Sequence, residues 1–258
     1  MIVVKTSREI AIMREAGMIV AQILDHLKTL CLPGVTTRHL DQVAEKMLAK
    51  FHAVPSFKGY GGYPASICAS VNDTLIHGIP SNYMLKDGDI ISIDIGAYYK
   101  GYHADAARTY MVGHVREDVA KLVDVTERSF FEALRVVRPG VPLSNIGHTI
   151  QSFVEAHGFS LPRDFTGHGV GQALHEDPPI PNYGLPNQGP LLKEGMTLAI
   201  EPMVNMGTYH TKVLADEWTV KTTDGSWCAH YENTIVVTAT GAEILTLKKE
   251  ANEWEKKM

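Results

Sequence analysis

Residues 86–94, Lys-Asp-Gly-Asp-Ile-Ile-Ser-Ile-Asp, return in altered form at 193–201 as Lys-Glu-Gly-Met-Thr-Leu-Ala-Ile-Glu. Each copy opens on a Lys-acid-Gly turn, runs into apolar residues that read as a strand, and closes on a carboxylate, Asp94 or Glu201. The copies lie 107 residues apart. Pro33-Gly34-Val35 and Pro139-Gly140-Val141 form a second matching pair, 106 residues apart. Two independent landmarks at nearly one offset argue for an internal repeat. The alternative is coincidence, since Pro-Gly after a helix and Lys-acid-Gly before a strand are both common.

The segments around these landmarks follow one order twice. Thr6 and Glu9 have capping-box spacing, and Ile10, Met13, Gly17, Val20, Leu24 and Leu27 trace one face of a helix over 6–30. Leu32-Pro33-Gly34 stops it. A second helix starts at Thr36 or Thr37, with Leu40, Val43, Met47, Leu48 and Phe51 apolar, and strands follow around Ser66–Val71 and Ile90–Ile95. Past residue 115, Val119, Val123, Phe130, Leu134 and Val137 mark another helix, and Ile146, Ile150, Phe153 and Val154 the next, with a further strand expected near residue 192. The expectation is an α+β fold: a single domain over residues 1–258, with pseudo-repeat halves at about 6–113 and 115–245. A pseudo-two-fold axis would bring Asp94 and Glu201 toward one place between the halves, where pockets commonly lie.

Composition excludes several classes. The 258 residues are 45 % hydrophobic and 21 % charged, which is ordinary globular usage and rules out a disordered chain, a fibre or a disulfide scaffold. A net charge of −5 gives no bulk attraction to nucleic acid or anionic lipid. Cys31, Cys68 and Cys228 are odd in number and widely spaced, as expected of reduced core thiols. There is no run of about 18 apolar residues, and the N-terminus MIVVKTSREI has no signal-peptide pattern. The expectation is a cytoplasmic protein that does not enter a membrane.

Residues 90–113, IISIDIGAYYKGYHADAARTYMVG, read as a hairpin turning near Tyr99-Lys100-Gly101. If it is centred between Tyr99 and Lys100, Asp94 faces Asp105 directly, on one side of the sheet. Like charges so placed are destabilising, and the pair makes sense if a divalent cation bridges it. The alternative is a hairpin centred one residue away with both acids solvated. Glu201 precedes Pro202, and Glu232 precedes the strand-like Thr234–Val237; either acid alone reads as a surface residue at a strand end. His168 sits in Thr166-Gly167-His168-Gly169-Val170-Gly171, where the glycines allow close backbone approach and expose the imidazole. Two divalent cations would neutralise the four carboxylates of Asp94, Asp105, Glu201 and Glu232. With His168 the set is oxygen-rich and suits manganese, iron or cobalt better than a closed zinc site. Two metals about 3.5–4 Å apart can bridge a water, lower its pKa and polarise a carbonyl. That is metal-assisted hydrolysis.

Seven segments, in this order, resemble type I methionine aminopeptidases. They are Ser70-Val71-Asn72 through His77-Gly78-Ile79-Pro80; Ile93-Asp94-Ile95-Gly96; Gly101-Tyr102-His103-Ala104-Asp105; Thr166 through Gly171; His175-Glu176; Ala199-Ile200-Glu201-Pro202; and Tyr231-Glu232-Asn233-Thr234. The resemblance spans almost the whole chain. It implies the pita-bread fold, with two pseudo-two-fold related halves around a curved antiparallel sheet. It implies five metal ligands, Asp94, Asp105, His168, Glu201 and Glu232, holding two divalent ions (cobalt, manganese, iron or zinc).

The resemblance also implies three catalytic residues. His77 would meet the scissile amide or its leaving nitrogen, His175 the substrate carbonyl and its developing oxyanion, and Glu201 would take the proton of the attacking water. Tyr60, Tyr63, Cys68, Leu174 and Trp218 fall on the methionine pocket, where Leu174 departs from the aromatic residue common in the family. His103 is expected to support Asp105 from the same strand face. The implied activity is removal of the initiator methionine from nascent chains whose second residue is small, by a monomer. A transient ribosome contact is left open, and no nucleic-acid sequence is read. No long charged or cysteine-rich extension precedes the first helix, so the zinc-finger-bearing form is not expected, and no helical insertion of about 60 residues separates His168 from Glu201, which disfavours the type II form. Proline-specific aminopeptidases and dipeptidases share the catalytic domain but usually add an N-terminal one. A non-catalytic peptide- or ribosome-binding relative would be expected to have lost ligands.

Overall fold

The computed structural model describes residues 1–248; the last ten residues of the expected domain span lie outside the described residues. In the first half, α1 (Ser7–Leu30) and α2 (Thr37–Lys50) are followed by β1 (Val54–Pro55), a short 3₁₀ turn (Tyr60–Gly62), β2 (Ile67–Val71), β3 (Thr74–Ile76), β4 (Ile90–Tyr99) and β5 (Tyr102–Met111). The second half has α3 (Glu117–Leu134), α4 (Ser144–Ala156), β6 (Thr166–Gly169), β7 (Glu176–Pro181), β8 (Thr197–Ile200), β9 (Met203–Asn205), β10 (Thr211–Val213), β11 (Val220–Thr222), β12 (Cys228–His230), β13 (Asn233–Val237) and β14 (Ala242–Ile244).

α1 starts as its capping box dictates: Glu9 N–H donates to Thr6 Oγ1 at 3.4 Å, and Thr6 N–H to the Glu9 carboxylate at 2.7 Å. Its buried face carries Met13, Ala16, Gly17, Val20, Leu24 and Leu27. Gly17 is a close approach, because a Cβ there would stand 2.2 Å from the carbonyl oxygen of Leu245. Thr36 caps α2.

The repeat is visible in the hydrogen bonds. Gly34 N–H donates to Leu85 O and Leu85 N–H to Val35 O, both at 2.8 Å. In the second half Gly140 N–H donates to Leu192 O at 2.9 Å and Leu192 N–H to Val141 O at 2.8 Å. β4 pairs antiparallel with β2 and β5, as β8 does with β6 and β13. Each pita-bread half thus has a main sheet, four-stranded in the first (β1, β2, β4, β5) and five-stranded in the second (β6, β7, β8, β13, β14), each with its own helices; β3 pairs with β11, which pairs with β10, and β9 pairs with β12, in two smaller sheets. The halves join at a seam where Glu232 N–H donates to Ala107 O at 3.0 Å and Ala107 N–H to Glu232 O at 3.3 Å. Separate apolar cores fill the halves, one around Ile23, Leu27, Ile91 and Ile93, the other around Phe130, Ile146, Ile150 and Leu198.

Three expectations are corrected. The hairpin is centred one residue later than expected, so Asp94 faces Ala107 and Asp105 faces Gly96. A shift of the centre by one residue moves each partner by two, which keeps both acids on the same face; they are diagonal neighbours, and Gly96 leaves room between them. Asp94 stands in the middle of β4, because the strand continues to Tyr99. The strand expected near residue 192 begins at Thr197, since 193–196 form the turn.

Candidate active site

The four acids and one imidazole expected to meet come from both halves and converge on the seam. β4 supplies Asp94, β5 Asp105, β6 His168, the end of β8 Glu201, and the residue before β13 Glu232. His168 Nε2 lies 3.9 Å from Asp105 Oδ2, 3.7 Å from Glu201 Oε1 and 4.0 Å from Glu232 Oε1. These separations exceed a hydrogen bond and match ligands placed around a common ion. Local bonds fix the frame. Thr234 Oγ1 accepts from Asp105 N–H and donates to Asp105 O, both at 2.9 Å, while Asn182 Nδ2 donates to the Glu201 carbonyl at 2.8 Å.

The glycines around His168 act through close approach, as expected. A Cβ at Gly167 would lie 2.5 Å from Ala199 O, and one at Gly169 would lie 2.2 Å from Asp177 O. The imidazole, however, is buried at 8 % exposure instead of exposed, because it faces the cavity between the halves. His168 Nδ1 faces the carbonyl oxygen of Gly169 at 2.9 Å. A carbonyl only accepts, so the ring proton sits on Nδ1 and Nε2 offers its lone pair to the carboxylate cluster.

Burial and mutual repulsion push the carboxyls of Asp94, Glu201 and Glu232 well above the usual range. Burial raises that of Asp105 to about 7 and lowers His168 to about 3. Asp94 Oδ1, Asp105 Oδ1 and Glu232 Oε1 are buried with no hydrogen-bond partner. Four crowded acids with orphaned oxygens, facing one imidazole lone pair, are what a divalent cation would resolve. Asp105, His168 and Glu232 hold ligand atoms within 4.8 Å of one another, and so do Glu201, His230 and Glu232. The residues present fit a metal centre.

That centre opens on a cavity of about 400 Å³. At its other end Phe57, Tyr63, Ala65, Cys68 and Leu174 form a buried apolar cluster against which Ile79 and Trp218 pack. Tyr63 meets Trp218 edge-on at 5.1 Å and spends its hydroxyl on the carbonyls of Ile67 and Gly78. Tyr60 stands at the rim, 46 % exposed, with its hydroxyl 2.7 Å from His175 Nδ1. His77, at φ 57°, lies between the two ends, its ring 6.0 Å from Trp218 and 6.2 Å from Phe165. His175 packs against His168, ring centres 4.3 Å apart. His103 has its Nδ1 2.8 Å from Ser56 Oγ and its ring on Tyr98.

Sequence reasoning missed Phe57, Ile76, Phe165 and His230. Phe165 adjoins the glycine-rich segment, which was its only signal. His230 is 1 % exposed, with Nε2 3.5 Å from Glu201 Oε2; its spacing of two from Glu232 is the same-face signal of an extended segment.

A buried carboxylate–imidazole cluster beside an apolar cavity, set at the seam of a two-halved α+β fold, defines a metallohydrolase. The chain belongs to metallopeptidase family M24, whose model matches residues 11–239. It is 58 % identical to methionine aminopeptidase 1 of Bacillus subtilis over 95 % of this chain and 99 % of that protein. To the methionine aminopeptidase of Escherichia coli it is 44 % identical, over 96 % and 94 % respectively. The crystal structure of methionine aminopeptidase from Thermotoga maritima superposes with a TM-score of 0.95 at 46 % identity, covering 96 % of this chain and all of that one. A prolidase from Pyrococcus furiosus, at 24 % identity and a TM-score of 0.79, shares the fold. Among the described residues no helix is long and apolar enough to cross a membrane.

Proposed function

We propose that this chain removes the initiator methionine from polypeptide N-termini, by metal-dependent hydrolysis, when the second residue is small. The observation that carries the reading is the single cavity that joins the carboxylate cluster to the apolar pocket. An unbranched apolar side chain seated among Tyr63, Cys68, Leu174 and Trp218 would bring its own carbonyl toward the acids. Two divalent cations held by Asp94, Asp105, His168, Glu201 and Glu232 would supply the charge that acidifies a water and polarises that carbonyl. Glu201 takes the proton of the attacking water. His175 donates to the carbonyl oxygen as negative charge develops, a contact worth about 3–4 kcal/mol. His77 faces the leaving nitrogen. Its imidazole, brought down to about 4 by burial, is neutral near pH 7 and can accept or donate one hydrogen bond. Tyr60 and Leu174 complete the substrate pocket.

The substrates are methionyl peptides of new chains, met in the cytoplasm by a monomer. The identity of relatives at 44–58 % across nearly the full length supports this reading over proline-specific cleavage or a non-catalytic role. Hydrolysis of Met-Ala-Ser and Pro-Ala-Ser by the metal-free protein, with manganese, cobalt, iron and zinc added in turn, tests it. Metal-dependent release of methionine alone is expected. Preferential cleavage of Pro-Ala-Ser would overturn it.

A further inference from the structure

Two neighbouring histidines enter the cavity with different groups behind them. His168 Nδ1 faces the Gly169 carbonyl, an acceptor, so its ring proton is on Nδ1. His175 Nδ1 faces the Tyr60 hydroxyl at 2.7 Å. A phenol has one proton to give, and a neutral imidazole's bare nitrogen accepts it well, whereas the phenol oxygen shares its lone pair with the ring and accepts weakly. The hydroxyl therefore donates to Nδ1, and the ring proton of His175 resides on Nε2.

We propose that Tyr60 is a positioning residue that locks His175 in the Nε2–H tautomer, opposite to that of His168. One imidazole then offers the cavity a lone pair and its neighbour an N–H, although their rings are 4.3 Å apart. The placement of Tyr60 supports this. It sits on the turn Tyr60–Gly62, reached through Gly59 at φ 89° and left through Gly61 at φ 55° and Gly62 at φ 90°. Tyr60 N–H donates to Phe57 O at 2.9 Å, and a Cβ on Gly61 would come within 3.2 Å of the Trp218 ring. The turn is thus seated on the apolar pocket, and its phenol reaches across the rim to His175. The catalytic consequence rests on the role given above to His175: only the Nε2–H form can donate to a carbonyl oxygen through that nitrogen.

The test is a long-range proton–nitrogen NMR correlation on metal-free protein labelled with ¹⁵N-histidine, the signals of His175 being those lost in His175→Gln. Wild type should show His175 with a bare Nδ1 and a protonated Nε2, and Tyr60→Phe, which keeps the ring, should move it to a mixture of tautomers. In the metal-loaded enzyme the same substitution should lower kcat roughly 10- to 100-fold with KM within about twofold. A protonated Nδ1 in wild type, or a tautomer unchanged in Tyr60→Phe, overturns the assignment. If the tautomer shifts while kcat does not, the assignment stands and the oxyanion role of His175 falls.

Discussion

The buried ammonium of Lys5 is paired with the carboxylate of Glu176, the residue that follows His175. Lys5 is 2 % and Glu176 14 % exposed at the side chain, and Glu176 Oε1 also accepts from Ala173 N–H at 3.2 Å. The strand-free segment before α1 thereby clamps the loop that carries His175. Removing one partner of a buried pair strands the other charge and costs about 3–5 kcal/mol. Lys5→Met should therefore lower the unfolding midpoint, by roughly 2–4 °C per kcal/mol in a domain of this size, and weaken catalysis through His175. Adding Glu176→Gln should recover part of the stability. Thermal unfolding of wild type and both variants checks this, and a midpoint unmoved by Lys5→Met would show that the pair holds nothing.

Asp94→Ala and Glu232→Ala should keep the fold and leave less than about a tenth of wild-type turnover with metal added, because one charge of four no longer balances the cations. The fold survives because each removed carboxylate is repelled by its neighbours in the metal-free protein. Circular dichroism together with turnover decides this; a variant active above that level contradicts the dinuclear reading.

The carboxylate cluster also predicts a pH dependence of the metal-free fold. A carboxyl whose folded pKa is raised contributes stability that is fully present below its unfolded value and is lost as pH rises through the folded one. For Asp105 that window runs from 3.8 to about 7, with Asp94, Glu201 and Glu232 shifted in the same direction. Buried histidines such as His168, lowered from 6.5 to about 3, act oppositely on the acid side. Between about pH 6.5 and 8 the carboxyls therefore dominate, and metal-free protein should lose stability as pH rises. Saturating metal should reverse the loss, adding about 2.7 kcal/mol at a hundredfold excess over Kd. Unfolding midpoints across that range, with and without manganese, would expose the error if the metal-free protein grew steadily more stable.

His175→Ala should lower kcat far more than it raises KM, since its contact strengthens as the oxyanion forms. His103→Ala should have the milder effect, because its ring is spent on Ser56 and Tyr98. Steady-state kinetics of both variants distinguishes them; a His175 variant defective only in KM would remove its catalytic role.

How much of this was legible in the sequence follows from the range of each interaction. The period of two in a strand keeps Asp94 and Asp105 on one face here because the hairpin centre moved by a whole residue and each partner by two, so that inference survived a wrong register, whereas a one-residue slip in pairing would have separated them. The Lys-acid-Gly and Pro-Gly landmarks exposed the repeat because equivalent turns need equivalent residues at Gly34, Gly140, Gly88 and Gly195, all at positive φ. The grouping of Asp94, Asp105, His168, Glu201 and Glu232, by contrast, rested on charge counting until the family resemblance supplied it as a set, since Glu201 and Glu232 each look alone like surface acids. The one local signal of His230 was its spacing of two from Glu232, and Phe57 reaches the site through tertiary packing against Tyr63, Ala65, Cys68 and Leu174, which no local pattern records. The burial of His168 was misjudged for the same reason.

The most direct measurement is a titration of manganese into metal-free protein, following ion uptake by calorimetry and methionine release from Met-Ala-Ser in the same samples. No release is expected before metal; release should rise with uptake and saturate at two ions per chain, and Asp94→Ala should lose both uptake and release. Full release in the presence of a chelator, or uptake untouched by Asp94→Ala, would contradict the dinuclear reading.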